Sequence, residues 1–429
     1  MLPLTQVEQF TRKHLRYNLV FNMLDGGFFG FAIGFASFST VLPLFVASMT
    51  NSATLIGLVP AIHGAGWLLP QLFTANRTAQ LRRYKRTVLR NTIHERLPFL
   101  GFALVAFLLP TIGPQAGLIL TFMFLIWQGL GGGFTANPWT SMISKIIPAE
   151  SRGTFFGTQA AVANLFISAA AVGAGYLLSS FAYSKNFMYC FLTACVFFTI
   201  SWFALAMTRE PADHEKIVDK NPRPFWHGAG EILKRDRNFD WFLFARILSQ
   251  FATMGFAFYI VYALRRFDMD AVTAGFLTAT LTISQTVANA SMGWMGDRVG
   301  HRWMLIIGAG AAVLSSVMAW FAPSLAWFFP IFILEGFANV SIWTNGMTMT
   351  VDFSDDKERP FYIGLAQTLT GPATIIAPLI GGWIADTYGF TVTFGLSAIL
   401  AVVMMSILVF MVKEPRIVRL RTAPLKEIS

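Results

Sequence analysis

Residues 117–144 read GLILTFMFLIWQGLGGGFTANPWTSMIS. No Asp, Glu, Lys, Arg or His interrupts them, and a hydrocarbon core of roughly 30 Å needs only about 20 helical residues to be crossed. A water-facing helix would show a polar stripe, and this stretch has none. In lipid every backbone group must be paired within its own segment, so such a run is a helix and not an open strand. The two-residue alternation of a membrane barrel is not visible.

Working outward, the same pattern recurs. The 429 residues are 55% hydrophobic and 13% charged, with 43 Phe and 12 Trp, against about 25% charged in ordinary soluble domains. Twelve stretches are long and apolar enough to span: near 19–46, 53–75, 88–111, 117–144, 154–181, 184–207, 239–263, 271–295, 302–322, 325–351, 360–386 and 389–412. The expected fold class is therefore an all-α polytopic membrane protein. The first apolar run goes on from near Leu19 to Met49, too long for a removable signal peptide, and none is expected.

The formal charge of +10 does not point to nucleic acid, because the basic residues fall in alternate loops. Loops 1–2, 3–4, 9–10 and 11–12 carry no Lys or Arg, and Lys185, Arg265 and Arg266 are the three on that side. Loop 2–3 alone carries Arg77, Arg82, Arg83, Lys85, Arg86, Arg90 and Arg96, and both termini are basic. By the positive-inside rule both termini face the cytoplasm, in a bacterial-type cytoplasmic membrane. Cys190 and Cys195 lie in one apolar run, five residues apart. They make neither a disulfide framework nor a zinc site, and read as packing residues.

Residues 208–238 form the one long polar interruption, separating spans 1–207 from spans 239–429. Within it, Pro224 to Arg235 reads either as a short amphipathic helix with Phe225, Trp226, Ile232 and Leu233 towards lipid, or as a plain tether. The two flanking halves repeat. Gln128-Gly129, Arg152, Phe155 and Gly157 around span 4 correspond to Glu335-Gly336, Arg359, Tyr362 and Gly364 around span 10, each pair offset by 207 residues. Arg209-Glu210-Pro211 closes the first half and Lys413-Glu414-Pro415 the second. Parallel repeats about the membrane normal are a transporter architecture, since rocking one half on the other exposes a central site to each side in turn.

Between spans 8 and 9 the chain reads Gly293-Trp294-Met295-Gly296-Asp297-Arg298-Val299-Gly300-His301-Arg302. This resembles the G-x-x-x-D-R-x-G-x-R loop signature of the major facilitator superfamily. Pro378 to Trp383, followed by Asp386 and Gly389, is similar to that superfamily's eleventh span. The resemblance covers nearly the whole chain and implies twelve helices in two pseudo-symmetric six-helix bundles. The copy between spans 2 and 3 departs from the pattern, with Asn76-Arg77 in place of Asp-Arg and no glycine after it. That speaks against the drug/proton antiporters, and the sugar-porter signature after span 6 is absent. The subfamily is left open.

Physically, Asp297 ends span 8 and Gly300 permits the tight reversal into span 9. A carboxylate there can sit against a helix N-terminus. The resemblance implies the start of span 5, at Arg152-Gly153-Thr154, as its partner, making a cytoplasmic latch with Gly293, Arg298, Arg302 and Arg359. A plain polar turn with positive-inside arginines is the bland alternative.

Ionisable groups deep in a bilayer are costly and so point to function. Glu335 lies ten residues into span 10, ~15 Å at 1.5 Å per residue, with Gln128 as its repeat mate. Burial disfavours the charged carboxylate, which suits Glu335 to loading and releasing a proton; a permanent hydrogen bond to another helix is the structural alternative. Asp25 and Arg246 lie at similar depth and are expected to pair across the halves, unless Arg246 snorkels to the headgroups. His63 reads more readily as an interhelical hydrogen-bonder than as a relay. Asn22, Asn137, Gln159, Asn164, Gln250, Gln285, Asn289, Asn339, Asn345 and Gln367 line a cavity or join helices. Trp127, Trp139 and Trp343 stack on a substrate or pack. Gly131-Gly132-Gly133 sits inside a span and reads as close helix packing.

The expected function is secondary transport of a small organic solute, proton-coupled, with export of an amphiphilic compound favoured because the spans are Phe-rich and sparse in charge. Nutrient uptake, lipid translocation and a non-transporting receptor are the alternatives. No G-x-S-x-G, H-E-x-x-H or Walker motif is present, so neither an enzyme nor a nucleotide-driven pump is expected. No cofactor or metal is implied. The expected partners are a small-molecule substrate, protons and lipid, with the chain a monomer.

Overall fold

The computed structural model describes residues 6–79, 81–211, 225–354 and 358–415. Among them there is no strand. Eleven helical segments are long and apolar enough to cross a membrane. One of these, 85–146, runs for 62 residues, which is ~93 Å at 1.5 Å per residue and three times a bilayer core. Gly113 breaks it, with φ 77° and ψ 167°, a conformation open to glycine, and Pro114 cannot continue the preceding helix. The 62 residues are thus two spans, and the total is twelve.

In chain order the helices are α1 (Gln6–Phe35), α2 (Val41–Ala47), α3 (Ala53–Ala79), α4 (Lys85–Arg96), α5 (Pro98–Ile146), α6 (Ala149–Ser180) and α7 (Lys185–Ala206). There follow α8 (Phe225–Arg235), α9 (Arg237–Ala252), α10 (Tyr259–Phe267), α11 (Ala271–Val299) and α12 (His301–Trp320). The last are α13 (Phe328–Val340), α14 (Gly346–Phe353), α15 (Arg359–Tyr388) and α16 (Phe390–Phe410). A 3-10 turn at Met254–Phe258 joins α9 to α10, and a π-helical turn at Ser341–Asn345 joins α13 to α14. Large apolar side chains such as Phe107, Val196, Phe203 and Ile399 are more than half exposed, as lipid-facing residues are.

Two compact units emerge: 1–220 with 260–283, and 221–259 with 284–429. In the first, α1 packs on α6 and α7, and α5 packs on α3 and α4. Gly175 and Gly275 let α6 and the start of α11 touch backbone to backbone. A Cβ on Gly275 would stand 2.5 Å from the Ala171 carbonyl oxygen, and one on Gly175 would stand 2.6 Å from that of Ala271. The Thr40 and Thr278 hydroxyls bond one another there, and so do those of Ser168 and Thr282 at 2.6 Å. In the second unit α12 packs on α13 and α16, and α9 on α15 and α16, around Phe239, Phe242, Met349, Tyr362 and Met404.

The sequence repeat has a structural counterpart inside each unit. In the first, Asn18 of α1 donates to the Arg209 carbonyl and accepts from its N–H, both at 2.9 Å. Glu210 then accepts from the N–H groups of Tyr84 and Lys85, each at 2.8 Å, capping α4. In the second, Asn238 of α9 makes the same pair with Lys413, at 3.0 and 2.7 Å. Glu414 accepts from the Arg302 N–H at 3.0 Å, capping α12. A carboxylate is a good cap because a helix N-terminus offers unpaired N–H groups and a positive dipole end.

Several boundaries differ from the sequence reading. Span 1 is not 19–46: α1 starts at Gln6 and ends at Phe35, and the rest forms the short α2. Hydropathy does not see the polar first turns, yet Asn18 and Thr11, which bonds the Lys145 carbonyl, hold them to the bundle. The segment before α9 is a helix, not a tether, but Ile232 is buried in the second unit's core and does not face lipid. Arg235 ties α8 to Glu358 at 2.6 Å. The side chains of Phe225 and Trp226, and residues 212–224, lie outside those described.

Candidate functional site

A cavity of about 510 Å³ opens within the first unit. Asp25 reaches it from α1, where the following Gly26 leaves room for Gln159: a Cβ on Gly26 would stand 2.6 Å from Gln159 Cγ. Asp25 is buried, with its partners in its own unit. Its Oδ1 accepts from Ser201 Oγ of α7 at 2.6 Å and from Arg96 Nη2 of α4 at 3.3 Å. Arg96 also donates to Ser201 at 2.9 Å, and its guanidinium lies 5.1 Å from the centre of the Phe29 ring. Asp25, Arg96 and Ser201 thus form a triad within one unit.

Arg96 had been read as a loop charge. Because α4 begins at Lys85, Arg96 is eleven residues along the helix, ~16 Å at 1.5 Å per residue, and buried. Glu95 beside it was not singled out at all, yet it lines the cavity. Its Oε2 accepts from Thr92 Oγ1 at 3.2 Å. The available signal was Ser201, a hydroxyl inside an apolar span at a depth where a buried ion pair needs a third partner. Of the softer polar set, Gln159 lines this cavity, as does Trp139. Asn22 donates to Thr208 beyond the end of α7, Asn137 joins α5 to α3 through the Gln71 carbonyl, and Trp127 donates to His94 at 3.2 Å.

Gln128 and His63 come together. His63 Nδ1 and Gln128 Oε1 are 2.9 Å apart, joining α3 to α5, and the imidazole stacks on Phe38 with ring centres 3.7 Å apart. This is the interhelical hydrogen bond that the flanking small residues suggested.

In the second unit Glu335 sits on α13, 5% exposed, and its Oε2 has no hydrogen-bond partner among the described residues. Gly336 next to it packs on Ser284, whose Oγ a Cβ there would approach to 2.6 Å. Arg246 is buried rather than snorkelling, and its Nε and Nη1 have no hydrogen-bond partner among the described residues. The guanidinium lies over Gly346, where a Cβ would come within 2.6 Å of Nη1. The space beside it is about 10 Å³, bounded by Phe242, Ser249, Leu305 and Ile342, which is room for one water.

In the loop signature, Gly300 has φ 105°, a left-handed conformation that favours glycine. A Cβ there would also stand 2.4 Å from a Glu414 oxygen. Arg302 donates to the Leu408 and Val409 carbonyls at 2.9 and 2.5 Å. Arg298 covers the Trp294 ring at 3.8 Å, and a Cβ on Gly293 would meet nothing within 4 Å. Asp297 is 74% exposed, 4.0 Å from His301, which in turn bonds Asp352 at 2.9 Å. Arg152 does not start α6, which begins a turn earlier at Ala149. The side chains of Arg152, Arg359 and Asn76 lie outside those described.

The chain matches the Major Facilitator Superfamily over residues 24–276 and 242–428. Among curated relatives it is 30% identical over 128 residues to a probable vesicular acetylcholine transporter-B of Danio rerio, covering 30% of this chain and 26% of that protein. It is 28% identical over 142 residues to multidrug resistance protein 2 of Bacillus subtilis (strain 168), covering 33% and 35%. The chain spans about a third or less of the length of these relatives. Among solved structures it is similar to a POT family transporter in complex with a thioalcohol-conjugated peptide, with TM-score 0.72 and 11% identity over 91% of this chain and 94% of that one. Twelve spans, the loop signature and a match running nearly from end to end lead to one conclusion: the chain belongs to the Major Facilitator Superfamily.

Proposed function

We propose that the protein is a secondary transporter that moves a small amphiphilic organic solute by alternating access, driven by protons through Glu335. The observation that carries this reading is the contrast between its two buried acids. Asp25 is held by Arg96 and Ser201, so its charge is compensated where it stands. Glu335 is buried with an oxygen that has no hydrogen-bond partner among the described residues. A lone carboxylate at that depth is costly, and taking up a proton removes the cost. An acid that gains and loses a proton as its surroundings change is what coupling requires. Export is favoured by Phe-rich, charge-poor spans and by likeness to a multidrug resistance protein. Arg246, with two nitrogens that have no hydrogen-bond partner among the described residues, supports a second reading in which the solute carries a carboxylate.

The test is a proteoliposome screen of amphiphilic cations, neutral compounds and carboxylates under an imposed pH gradient. Glu335→Gln mimics the protonated acid. The variant is expected to exchange substrate across the membrane yet fail to accumulate it against a gradient. If Glu335→Gln keeps full gradient-driven transport while Asp25→Asn abolishes it, the coupling role belongs to Asp25.

A further inference from the structure

We infer that the cavity of the first unit binds a lipophilic organic cation, with Glu95 as its counter-charge and Gly132 as its floor. This deepens the transport reading and rests on it for physiological meaning, but the binding itself can be measured without flux.

The charges lining the cavity are Asp25, Glu95 and Arg96, two carboxyls against one guanidinium. Arg96 bonds Asp25 at 3.3 Å and Ser201 at 2.9 Å through Nη2 alone, and its Nε and Nη1 have no hydrogen-bond partner among the described residues. Glu95 is left with a single hydroxyl: Thr92 bonds Oε2, and Oε1 has no hydrogen-bond partner among the described residues. A carboxylate in a mostly apolar cavity calls for a positive partner, and here one guanidinium is shared between two carboxyls, with no hydrogen bond from Arg96 to Glu95 among the described residues.

The three consecutive glycines show where that partner fits. Gly131 and Gly133 are packing residues: a Cβ on either would stand 2.4 Å from a backbone atom, of His94 and of Gly66 respectively. Gly132 faces the cavity instead. A Cβ there would meet Glu95 Oε1 at 3.2 Å and Trp67 Cδ1 at 3.3 Å. A carboxylate oxygen and an indole ring thus converge on one spot that the missing side chain leaves open. Trp139 and Phe156 complete the wall. Carboxylate plus aromatic faces is the pairing that recognises a desolvated cation, and about 510 Å³ lies inside the roughly 300–1,000 Å³ range of small-molecule pockets.

The probe is radiolabelled tetraphenylphosphonium, bound at equilibrium to the purified full chain in detergent. Tetraphenylborate, the same shape with the opposite charge, and neutral triphenylphosphine oxide serve as competitors. Saturable phosphonium binding is expected, with both competitors weaker by at least about tenfold, the scale of one desolvated charge contact. Glu95→Gln should weaken binding at least about tenfold, Glu95→Asp less, and Gly132→Leu should weaken it by filling the floor with no change of charge. Unaltered elution of each variant on size exclusion controls for folding, and the charge series on the unsubstituted chain needs no variant. Absence of saturable binding, equal competition by the borate, or unchanged affinity in Glu95→Gln overturns the proposal. Phosphonium binding through Glu95 without flux of any solute would sink the transport reading alone. Flux of another solute without phosphonium binding would sink this one alone.

Discussion

Asp25 and Arg96 meet 3.3 Å apart with Ser201 bonded to both, and the energetics of such a triad are lopsided. Burying two charges costs several kcal/mol, which their attraction only repays when both are present. Arg96→Met strands Asp25, and a loss of about 3 kcal/mol of stability is expected from breaking one side of a buried pair. The double variant Asp25→Asn/Arg96→Met removes both charges and should recover a large part of that loss. Thermal unfolding in detergent measures it, and a double variant as damaged as the sum of the singles would show that the side chains act independently. The pair also shows why the site was only half legible from sequence. Asp25 stood out as a charge in an apolar run. Arg96 sat at the apparent edge of one, next to six other basic residues, and hydropathy cannot separate a loop arginine from a buried one whose charge a distant helix neutralises. Arg246 is visible as a charge in an apolar run, but depth along a span does not determine which helix faces which.

At the scale of elements, what the sequence carried well was helix existence, because a bilayer leaves few alternatives to a long uncharged run. What it carried poorly was where helices start and bend. The polar first turns of α1 and the charged first turns of α4 are held by side-chain bonds from elsewhere in the fold, and Gly113 breaks a continuous apolar pattern through its φ alone. The repeat was legible as spaced residues, but its physical content, an Asn clamp followed by a Glu cap in each unit, needed coordinates. The loop signature rests on that cap: Glu414 fixes the start of α12, Gly300 turns the chain, and Arg302 anchors to the end of α16. Asp297 stands at the surface beside this cap, 4.0 Å from His301. Being 74% exposed, it is open to serve as a latch against a neighbouring helix N-terminus. Asp297→Ala should therefore leave thermal stability within about 0.5 kcal/mol, as for an ordinary surface substitution. It should nevertheless change the ratio of inward- to outward-open states, read as label-to-label distances across the cytoplasmic face. An unchanged distance distribution removes the latch.

For the molecule as a whole, the prediction with most reach is orientation. Positive charge next to a span is held on the cytoplasmic side, and here the bias is steep: six basic residues from Arg77 to Arg90 follow span 2, leaving aside the buried Arg96, while loops 1–2 and 3–4 have none. The structure makes this a sharp test, because α3 runs from Ala53 to Ala79 and so places Asn51 and Arg82 beyond opposite ends of one membrane-crossing helix. The turn at Gly113 lies one further span from Arg82. Arg265, one of the three basic residues expected outside, donates to the Asn51 carbonyl at 3.1 Å, which is consistent with both lying on the same side. Single cysteines are placed at Asn51, Arg82 and Gln115, with Cys190 and Cys195 changed to Ala to remove background. In intact cells an impermeant maleimide should then label positions 51 and 115. Position 82 should react only after permeabilisation, and so should cysteines at either terminus. Labelling of 51 or 115 in the same pattern as 82 would break the alternation on which the twelve-span reading depends. Labelling of 82 from outside, with 51 and 115 protected, would keep the twelve spans but invert the protein, reversing the direction assigned to any transport driven by the pH gradient.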